Sequence, residues 1–388
     1  MWDAGGSVEP ASRDLRPAIA CFAAIAAALF LIAGLSVTYL PLDVWPGGVW
    51  SGFKGHPFLD AWTRWDGGWY RSIAERGYSY APGKECSVPF FPMYPLLMRG
   101  LSMLTRNLLA SGMIITALAG IGSALLFYRW CRHRLSSRAA LAALLALLLW
   151  PFAYYLYFTV YSDALFLALS LASFTLVEDD RPVLAGLVGA IATATRPVGV
   201  ALAVGLVARA LERSGWTPRR PLQRLRLRDA GLLLSLLGVT AYLGYLWIRF
   251  GDPFVFSRAL GAWHKGQSWL TWVKRDAWVH LTDRRGYLPE AIAANLIATV
   301  VIWSLVPRVV RRFGWGYGTY AILVLAMPTI TTNDFISMGR YVLAAFPCYA
   351  AAGEILSTRP RFARVVLVAS GGSLVVLTSL FARWFYFS

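Results

Sequence analysis

The sequence RWDGGWYRSIAERGY, residues 64–78, is the stretch around which this chain is best understood, together with PFFPMYP at 89–95. The two segments place acidic, basic and aromatic side chains close together, in a chain that otherwise consists mainly of long apolar runs. They lie in the first long polar segment between two such runs. This concentration of polar and aromatic groups makes the segment the candidate functional region.

The rest of the chain is strongly apolar: 57% of the 388 residues are hydrophobic, and the mean hydropathy is +0.54. A water-soluble domain cannot hide that much apolar surface, whereas repeated apolar runs of about 18 or more residues are typical of transmembrane helices. We therefore predict an all-α polytopic membrane protein with about 11 transmembrane helices, forming one domain over residues 1–388. The first run, at 17–40, is too long for a signal-peptide core, and we expect it to be retained as the first helix.

The formal net charge of +17 arises from 37 Lys and Arg against 20 Asp and Glu. The arginines fall mostly in short segments between apolar runs, which is the positive-inside pattern of cytoplasmic loops and does not indicate nucleic-acid binding. With every basic cluster in the cytoplasm, the two long loops at 41–107 and 251–290 lie on the outer side. We expect the first loop to carry short interfacial helices, including an amphipathic one over Trp69–Glu75.

The apolar run 183–211 tests this topology because it is long for one helix and contains Arg196-Pro197. As a single crossing, it would place the basic segment 213–228 outside the cell and violate the charge rule. We therefore predict two short helices with a turn near Arg196, which puts this arginine near the outer face.

Asp66 is the candidate general base. It follows Trp65 and precedes Gly67-Gly68, which let backbone approach a ligand closely. A carboxylate in an interfacial loop acts as a base when burial tunes its pKa. A structural role is the alternative, because Asp66 also stands where an N-cap would stand for a helix over 67–75.

Two arginines are candidates for binding a phosphate group. Arg196 lies within an apolar run, where a charged side chain is costly and normally faces a cavity or a partner, and a guanidinium is a natural partner for phosphate. A purely structural pair with an acid such as Asp163, at the outer end of another helix, explains Arg196 equally well. Arg340 lies at the outer start of the predicted helix 338–356, where it would either bind an anion or reach the lipid headgroups.

The second outer loop adds His264 and Lys265 beside Trp263, a set that suits a phosphate and a sugar ring. Anchoring at the membrane interface is the alternative role for most tryptophans of these loops. The four cysteines are scattered, and no spacing indicates a metal site, so we expect no required cofactor. The acidic run Glu178-Asp179-Asp180 faces the cytoplasm in this topology, and we interpret it as a solvated helix end.

Five blocks of sequence, taken in order, resemble the PIG-V type of mannosyltransferase, a family of GT-C fold enzymes. The blocks are WDGGWYRSIAERGY at 65–78 with FFPMYP at 90–95, YSDALF at 161–166, ATATRPVG at 192–199, GDPFVF at 251–256, and SMGRY at 337–341 followed by Phe346-Pro347. At 163 the family has Glu where this chain has Asp, which changes the reach of that acid. The chain looks more like a bacterial member, whose acceptor need not be that of the eukaryotic enzymes.

The resemblance implies a GT-C fold and an inverting transfer of mannose from a polyprenyl-phosphate donor to a lipid-linked or glycan acceptor. It places the reaction on the outer face of a bacterial plasma membrane, among membrane lipids, with Asp66 as the base. The side chains expected to contact the substrates are Trp65, Trp69, Tyr70, Arg71, Tyr161, Asp163 and Trp263. Those expected to bind the donor phosphate are Arg196, Arg340, Lys265 and His264.

Two other functions fit parts of this pattern. A flippase or transporter of lipid-linked sugars would explain the apolar helices and the intramembrane charges, but it gives no use for an acid in a long aromatic loop. The second is another GT-C reaction, with a different sugar or with a protein as the acceptor. The choice of mannose rests on the resemblance.

Overall fold

The computed structural model describes residues 14–42, 50–216, 226–263, 269–282 and 288–387, and in these ranges it contains helices and no β-strand. The α-helices are, in chain order, α1 (Arg16–Tyr39), α2 (Pro57–Asp60), α3 (Asp66–Arg76), α4 (Met93–Thr105), α5 (Leu108–Arg132), α6 (Ser137–Leu148), α7 (Asp163–Glu178), α8 (Pro182–Thr193), α9 (Gly199–Arg213), α10 (Leu237–Phe250), α11 (Val255–Ala259), α12 (Trp269–Trp272), α13 (Arg275–Thr282), α14 (Leu288–Phe313), α15 (Trp315–Thr331), α16 (Met338–Tyr341), α17 (Phe346–Thr358) and α18 (Pro360–Ala382). Short 3-10 helices lie at Ala153–Leu156, Leu227–Leu236, Leu260–Trp263 and Val342–Ala344.

Several helices have the length and composition of membrane spans. Those long and apolar enough are Arg16–Tyr39, Leu108–Arg132, Leu227–Phe250, Pro289–Phe313 and Pro360–Ala382, and the shorter helices α6 and α8 are apolar as well. A helix satisfies its own backbone hydrogen bonds, which is what the bilayer interior requires. The chain is therefore an integral membrane protein, as predicted, while the figure of about 11 crossings stays a prediction.

Helices α5 and α7 are at the centre of the packing: α5 contacts α4, α6 and α7, and α7 contacts α8 and α9. Small residues let backbones approach closely at two contacts. A Cβ added at Gly353 would stand 2.4 Å from Ala143, where α17 packs on α6, and one at Gly120 would stand 1.8 Å from the carbonyl oxygen of Leu156. The second contact fixes the 3-10 segment that leads into α7.

The amphipathic helix predicted in the first long loop is present as α3. It buries Gly67, Tyr70, Ile73 and Ala74, which lie on one face at the spacing of a helix. Gly77, at φ +81°, ends the helix in a conformation that residues with a side chain rarely adopt. The buried face of α3 holds the helix against the bundle and so fixes the position of its first residues.

The run 183–211 forms two helices, which confirms that prediction. Helix α8 ends at Thr193 and α9 begins at Gly199, and the turn between them contains Arg196-Pro197 because proline cannot continue a helix. A Cβ at Gly199 would stand 2.6 Å from the Cα of Thr193, so the turn requires glycine there.

One predicted helix is wrong in extent. The predicted helix 338–356 is interrupted by the 3-10 helix Val342–Ala344, because Pro347 has no N–H with which to continue a preceding helix. Helix α6 similarly ends at Leu148, shortly before Pro151, and a 3-10 helix follows. Residues 153–157 and 342–346 are nevertheless buried. Non-helical backbone at membrane depth is tolerated where protein covers it, and it commonly marks a functional region.

Candidate active site

Asp66 is the first residue of α3, and its carboxylate does not cap that helix. The residue before it, Trp65, has φ +52° and occupies the N-cap position, with no side-chain capping hydrogen bond to the helix. The backbone N–H of Asp66 donates to the hydroxyl of Tyr161 (3.1 Å). The carboxylate instead accepts a hydrogen bond from Nη1 of Arg340 (2.8 Å), and the two side chains are 16% and 9% exposed. The structure therefore disfavours the capping role and gives Asp66 a charged partner from the far end of the chain.

Arg340 is positioned by the backbone immediately before it. The N–H of Gly339 donates to Oδ1 of Asn295 (2.7 Å), and its carbonyl accepts from Nε1 of Trp150 (3.0 Å). Ser337, at φ +76°, adopts a left-handed conformation that is unfavourable for a residue with a Cβ. Such strain is retained where the surrounding structure imposes it, often at functional sites.

The guanidinium of Arg340 is surrounded by aromatic rings. It lies 5.6 Å from the ring centre of Tyr155, 5.0 Å from that of Tyr161 and 5.1 Å from that of Tyr341. Burial acts to lower the pKa of Arg340, but the Asp66 carboxylate and neighbouring groups outweigh burial and hold that pKa well above its usual value. Its Nε is buried and has no hydrogen-bond partner among the described residues.

A second ion pair joins Arg196 to Asp163. Arg196 comes from the turn between α8 and α9, and Asp163 is the first residue of α7; their side chains are 12% and 3% exposed. The structural pair considered from the sequence is thus present. The Arg196 guanidinium also lies 5.1 Å from the ring centre of Tyr341, the ring that Arg340 contacts. Two arginines and two carboxylates therefore meet around one tyrosine.

Tyrosine hydroxyls supply the remaining polar groups of this cluster. The hydroxyls of Tyr70 and Ser162 are hydrogen-bonded (2.8 Å). Burial, and then the charge of Asp66, raise the pKa of Tyr70, and the same causes raise the pKa of Tyr161. Both phenols therefore stay protonated at neutral pH and act as hydrogen-bonding groups. A proton acceptor at this site must be a carboxylate, and Asp66 is more exposed than Asp163.

Aromatic side chains form a wall on one side of the cluster. Trp69 stacks on Phe90 with ring centres 5.9 Å apart, and Trp263 stands nearly perpendicular to both rings at 5.1 and 5.5 Å. We name these three residues the Trp69 wall. The structure thus brings together two tryptophans that the sequence assigned to substrate binding from different loops.

Three residues expected in the site are not placed there by the structure. Arg71 belongs to α3 but its side chain is exposed, because it lies outside the face formed by the buried residues of that helix. His264 and Lys265 lie outside the described residues.

Two functional candidates were missed from the sequence. Asn295, which is 0% exposed, was read as part of an apolar helix, although a buried amide in a membrane span is itself a signal of a specific partner. Tyr386 was missed because it follows the last apolar run, with no motif around it. Its hydroxyl bonds to Ser337, and its pKa is raised by burial and by the charge of Asp66, so it lies beside Asp66.

An apolar groove of about 600 Å³ runs between α3, α4, α8 and α10. Its lining includes Ile73, Leu96, Leu237 and Tyr242, and it reaches Ala194. Ala194 lies two residues before Arg196, and its carbonyl accepts from the N–H of Met93 (2.9 Å), which ties α4 to that turn. The groove therefore extends from the neighbourhood of the charged cluster along the helices.

No group of three or more His, Cys, Asp or Glu that would suit a metal ion occurs in the part of the chain that the structure describes. The two acids of the cluster are each bound by an arginine. We therefore assign no metal ligands.

A known protein family matches part of the chain. Residues 87–245, less than half of the chain, match the model of a family described as dolichyl-phosphate-mannose-protein mannosyltransferase. The matched segment contains Asp163 and Arg196 but neither Asp66 nor Arg340. No curated protein matches the chain in sequence.

Solved structures show similarity over nearly the whole chain. The crystal structure of ArnT from Cupriavidus metallidurans bound to undecaprenyl phosphate has a TM-score of 0.50 at 15% identity, over 95% of this chain and 76% of that chain. The oligosaccharyltransferase of Archaeoglobus fulgidus, in a complex with Zn and sulfate, has a TM-score of 0.49 at 15% identity, over 93% and 53% of the two chains. At such identity the similarity to ArnT shows the fold alone. The chain has the all-helical GT-C fold that the resemblance implied.

Proposed function

We propose that this protein is an inverting, PIG-V-type glycosyltransferase of a bacterial plasma membrane. It transfers mannose from a polyprenyl-phosphate donor to a hydroxyl of a lipid-linked or glycan acceptor, at a site that faces the outer side. The observation that carries the proposal is the part-buried pairing of Asp66 with Arg340 (2.8 Å), next to the pairing of Asp163 with Arg196. A carboxylate and cations in one protected site are what a displacement at a sugar phosphate requires.

Asp66 acts as the base in this mechanism. Its ion pair with Arg340 holds the carboxylate in place, and its partial exposure leaves it open to a ligand. The acceptor hydroxyl gives its proton to Asp66 while its oxygen attacks C1 of the donor sugar. One C–O bond forms to the acceptor as the bond from C1 to the phosphate oxygen breaks, with inversion at C1.

The leaving group is polyprenyl phosphate, which departs with the bonding electron pair. Arg196 and Arg340 stabilise the charge that develops on its oxygen, because donors fixed in a protected site do not have to reorganise during the reaction. Arg340 has its Nε available among the described residues. Arg196, whose Nη1 is occupied by Asp163, offers the rest of its planar fork of N–H donors.

The apolar groove between α3, α4, α8 and α10 suits the polyprenyl chain. It reaches Ala194, next to the turn of Arg196, so a phosphate at the arginines would have its hydrocarbon tail in the groove. The Trp69 wall would then pack against a sugar ring, and Lys265 and His264 stay candidates for the donor phosphate on the basis of the sequence.

The comparisons support this assignment at the level of reaction class. The matching family model carries dolichyl-phosphate mannose in its description, and the similar ArnT structure holds undecaprenyl phosphate. Both names involve a polyprenyl phosphate. The family description also names a protein as acceptor, so a protein acceptor is the second outcome to be tested.

The test is a transfer assay with the full chain in lipid nanodiscs, using polyprenyl-phosphate mannose labelled in the sugar and a bacterial membrane extract as the source of acceptors. We expect label to move from the donor into a larger product. Asp66→Asn should reduce transfer about 10³-fold or more while the protein stays folded.

Glu75→Gln is the matched control, since Glu75 is on the same helix, pairs with exposed Arg76 (3.5 Å) and should leave transfer unchanged. Full activity of Asp66→Asn would remove Asp66 from the role of base. An intact mannose donor with turnover of another sugar donor would correct the sugar. Movement of unchanged donor across a proteoliposome membrane without chemistry would instead make the protein a transporter.

A further inference from the structure

The segment that follows α18 folds back against the candidate active site and is held there from two sides. Arg64, which is 2% exposed, donates through Nε to the carbonyl of Ala382 (3.0 Å) and lies 5.0 Å from the ring centre of Trp384. On the other side, Nδ2 of Asn295 donates to the carbonyl of Phe387 (2.6 Å). The segment is therefore fixed at both of its ends.

The two anchoring side chains, Arg64 and Asn295, are polar and buried, which costs free energy unless they are hydrogen-bonded. An arginine and an asparagine without partners would each destabilise a buried site by several kcal/mol. Here Arg64 is balanced by Asp60 (2.8 Å), and both anchors are directed at the backbone of one short segment. Asn295 also binds the backbone N–H of Gly339, so one amide sets the segment relative to Arg340.

What this arrangement fixes is Tyr386. Its ring lies 4.8 Å from that of Trp65, its hydroxyl bonds to Ser337, and it interacts with the charges of Asp66 and Arg340. Tyr386 retains partial exposure, whereas Tyr161 beside the same carboxylate is buried. Of these two tyrosines next to Asp66, Tyr386 is the one that a ligand can reach.

We propose that Tyr386 is an acceptor-binding residue, whose hydroxyl holds a glycoside acceptor so that its attacking hydroxyl lies next to Asp66. This inference rests on the transfer reaction proposed above. Neither the family match, which ends at residue 245, nor any sequence motif assigns a role to this segment.

The class of acceptor follows from a second aromatic wall. Trp65 packs on Tyr386, and Trp384 packs on Trp65 (5.3 Å); we name these three residues the Trp65 wall. Trp65 and Trp69 lie on either side of Asp66 in the sequence, so both walls include a tryptophan at the start of α3. The apolar face of a sugar ring packs well on an aromatic ring, while its hydroxyls require polar partners. Two walls suit two sugars: the donor sugar at the Trp69 wall and the acceptor sugar at the Trp65 wall.

The protonation state of Tyr386 suits this role. Burial and the nearby Asp66 carboxylate raise the pKa of Tyr386. The phenol therefore keeps its proton at neutral pH, donates to an acceptor oxygen and does not compete with Asp66 for the proton of the attacking hydroxyl.

The experiment uses the full chain in nanodiscs with polyprenyl-phosphate mannose as donor and n-octyl α-D-mannoside as the acceptor probe. Tyr386→Phe keeps the ring against Trp65 and removes only the hydroxyl. We expect the KM for octyl mannoside to rise about tenfold, as for the loss of one hydrogen bond, with the KM for the donor unchanged. A titration of tryptophan fluorescence should show the same rise in the Kd of octyl mannoside without any turnover.

Tyr94→Phe is the control, because Tyr94 is a buried tyrosine whose hydroxyl bonds to the Gly112 carbonyl (2.9 Å) and Thr116 (2.8 Å). It should lower stability and leave both KM values unchanged. An unchanged Kd in Tyr386→Phe, a rise confined to the donor KM, or no binding of octyl mannoside to the unmodified chain would each overturn the proposal. Binding that depends on Tyr386 but leads to no transfer would support the glycoside site and contradict the proposed reaction instead.

Discussion

Helix α7 begins at Asp163 and ends at Glu178, and each of these carboxylates lies against arginine side chains. The two ends are about 22 Å apart at the rise of an α-helix. At the Glu178 end, Oε1 accepts from Nε of Arg209 (2.7 Å) and from the hydroxyl of Tyr317 (2.9 Å). Nη2 of Arg134 lies 3.2 Å from the same oxygen. The carboxylate is the hub of a dense network.

The network extends to the start of α15. Glu212 accepts from the backbone N–H groups of Trp315 (2.6 Å) and Gly316 (3.1 Å), and from Nη1 of Arg209 (2.6 Å). It thereby satisfies N–H groups that a helix leaves free in its first turn. This end of α7 fastens α9 and α15 together.

The Asp163 end is less completely paired. Oδ2 of Asp163 and Nε of Arg340 are both buried without a hydrogen-bond partner among the described residues. Among the same residues, Glu178, Arg209 and Glu212 have no buried side-chain atom that lacks a partner. Native proteins pair most of their buried polar groups, and the exceptions call for an explanation such as a ligand or a catalytic role. This difference predicts a structural role for the Glu178 end and a chemical role for the Asp163 end.

The largest effect is expected from Arg340→Lys. Lysine keeps the positive charge but lacks the planar guanidinium, which can bind Asp66 and still offer another N–H to the phosphate. We expect kcat to fall about 10³-fold, or about 4 kcal/mol in transition-state stabilisation, with the midpoint of thermal unfolding almost unchanged. Steady-state transfer and tryptophan fluorescence on heating measure the two quantities. A large loss of stability with normal kcat would make the Asp66 pair structural, and the contrast between the two ends would fail.

Glu178→Gln should have the opposite profile. The neutral amide leaves the arginines around it without their carboxylate, and unpairing such half-buried charges costs about 1–3 kcal/mol. We expect a clear drop in the unfolding midpoint and an unchanged kcat per folded molecule. Asp179→Asn, at an exposed neighbour, is the control and should change neither the unfolding midpoint nor kcat. A specific loss of kcat in Glu178→Gln would show that the Glu178 end takes part in catalysis.

Asp163→Glu tests the departure from the residue of the resembling family. The added methylene would push Arg196 away from its position in a site where Asp163 is 4% exposed. We expect kcat to fall about tenfold, because small misplacements of a positioned group reduce rates steeply. Glu178→Asp, the converse change at the other end of α7, should lower stability and leave kcat unchanged. Higher activity in Asp163→Glu would mean that the longer acid fits this site better.

The sequence predicted the parts of the molecule that depend on local physics. The break at Arg196-Pro197 and the amphipathic helix α3 follow from proline chemistry and from helical periodicity, and both are present. Glu178 shows the limit: we interpreted residues 178–180 as a solvated helix end, which is wrong for Glu178 although Asp179 and Asp180 are exposed. Its partners come from α9, α15 and the turn after α5, and no local sequence pattern predicts these contacts.

The same limit applies to the candidate site. The sequence named Asp66, Asp163, Arg196 and Arg340, but their pairing depends on how α3, α7, the turn before α9 and helix α16 meet. Tyr386 reaches Asp66 only because the chain folds back after α18, across more than 300 residues of sequence. Tertiary contacts of that span leave no periodic signal.

The smallest effect concerns Lys274, between α12 and α13, whose ammonium donates to the Thr332 carbonyl and lies 5.3 Å from the Phe335 ring centre. Burial lowers the pKa of Lys274 from 10.5 to about 8, although the charge of Asp334 opposes this. Between pH 8 and 10.5 the unfolded segment therefore binds a proton that the folded one does not, so the local structure gains stability as the pH rises through this range.

Labelling with an amine-selective reagent, followed by mass spectrometry of the Lys274 peptide, should give a titration midpoint near pH 8 in the folded protein and near 10.5 in denaturant. A folded midpoint near 10.5 would place the amine in water. That result would mean that Lys274 does not hold α13 against the segment before Arg340. Asn295 and Trp150, which bond to Gly339, would then be the contacts that position Arg340.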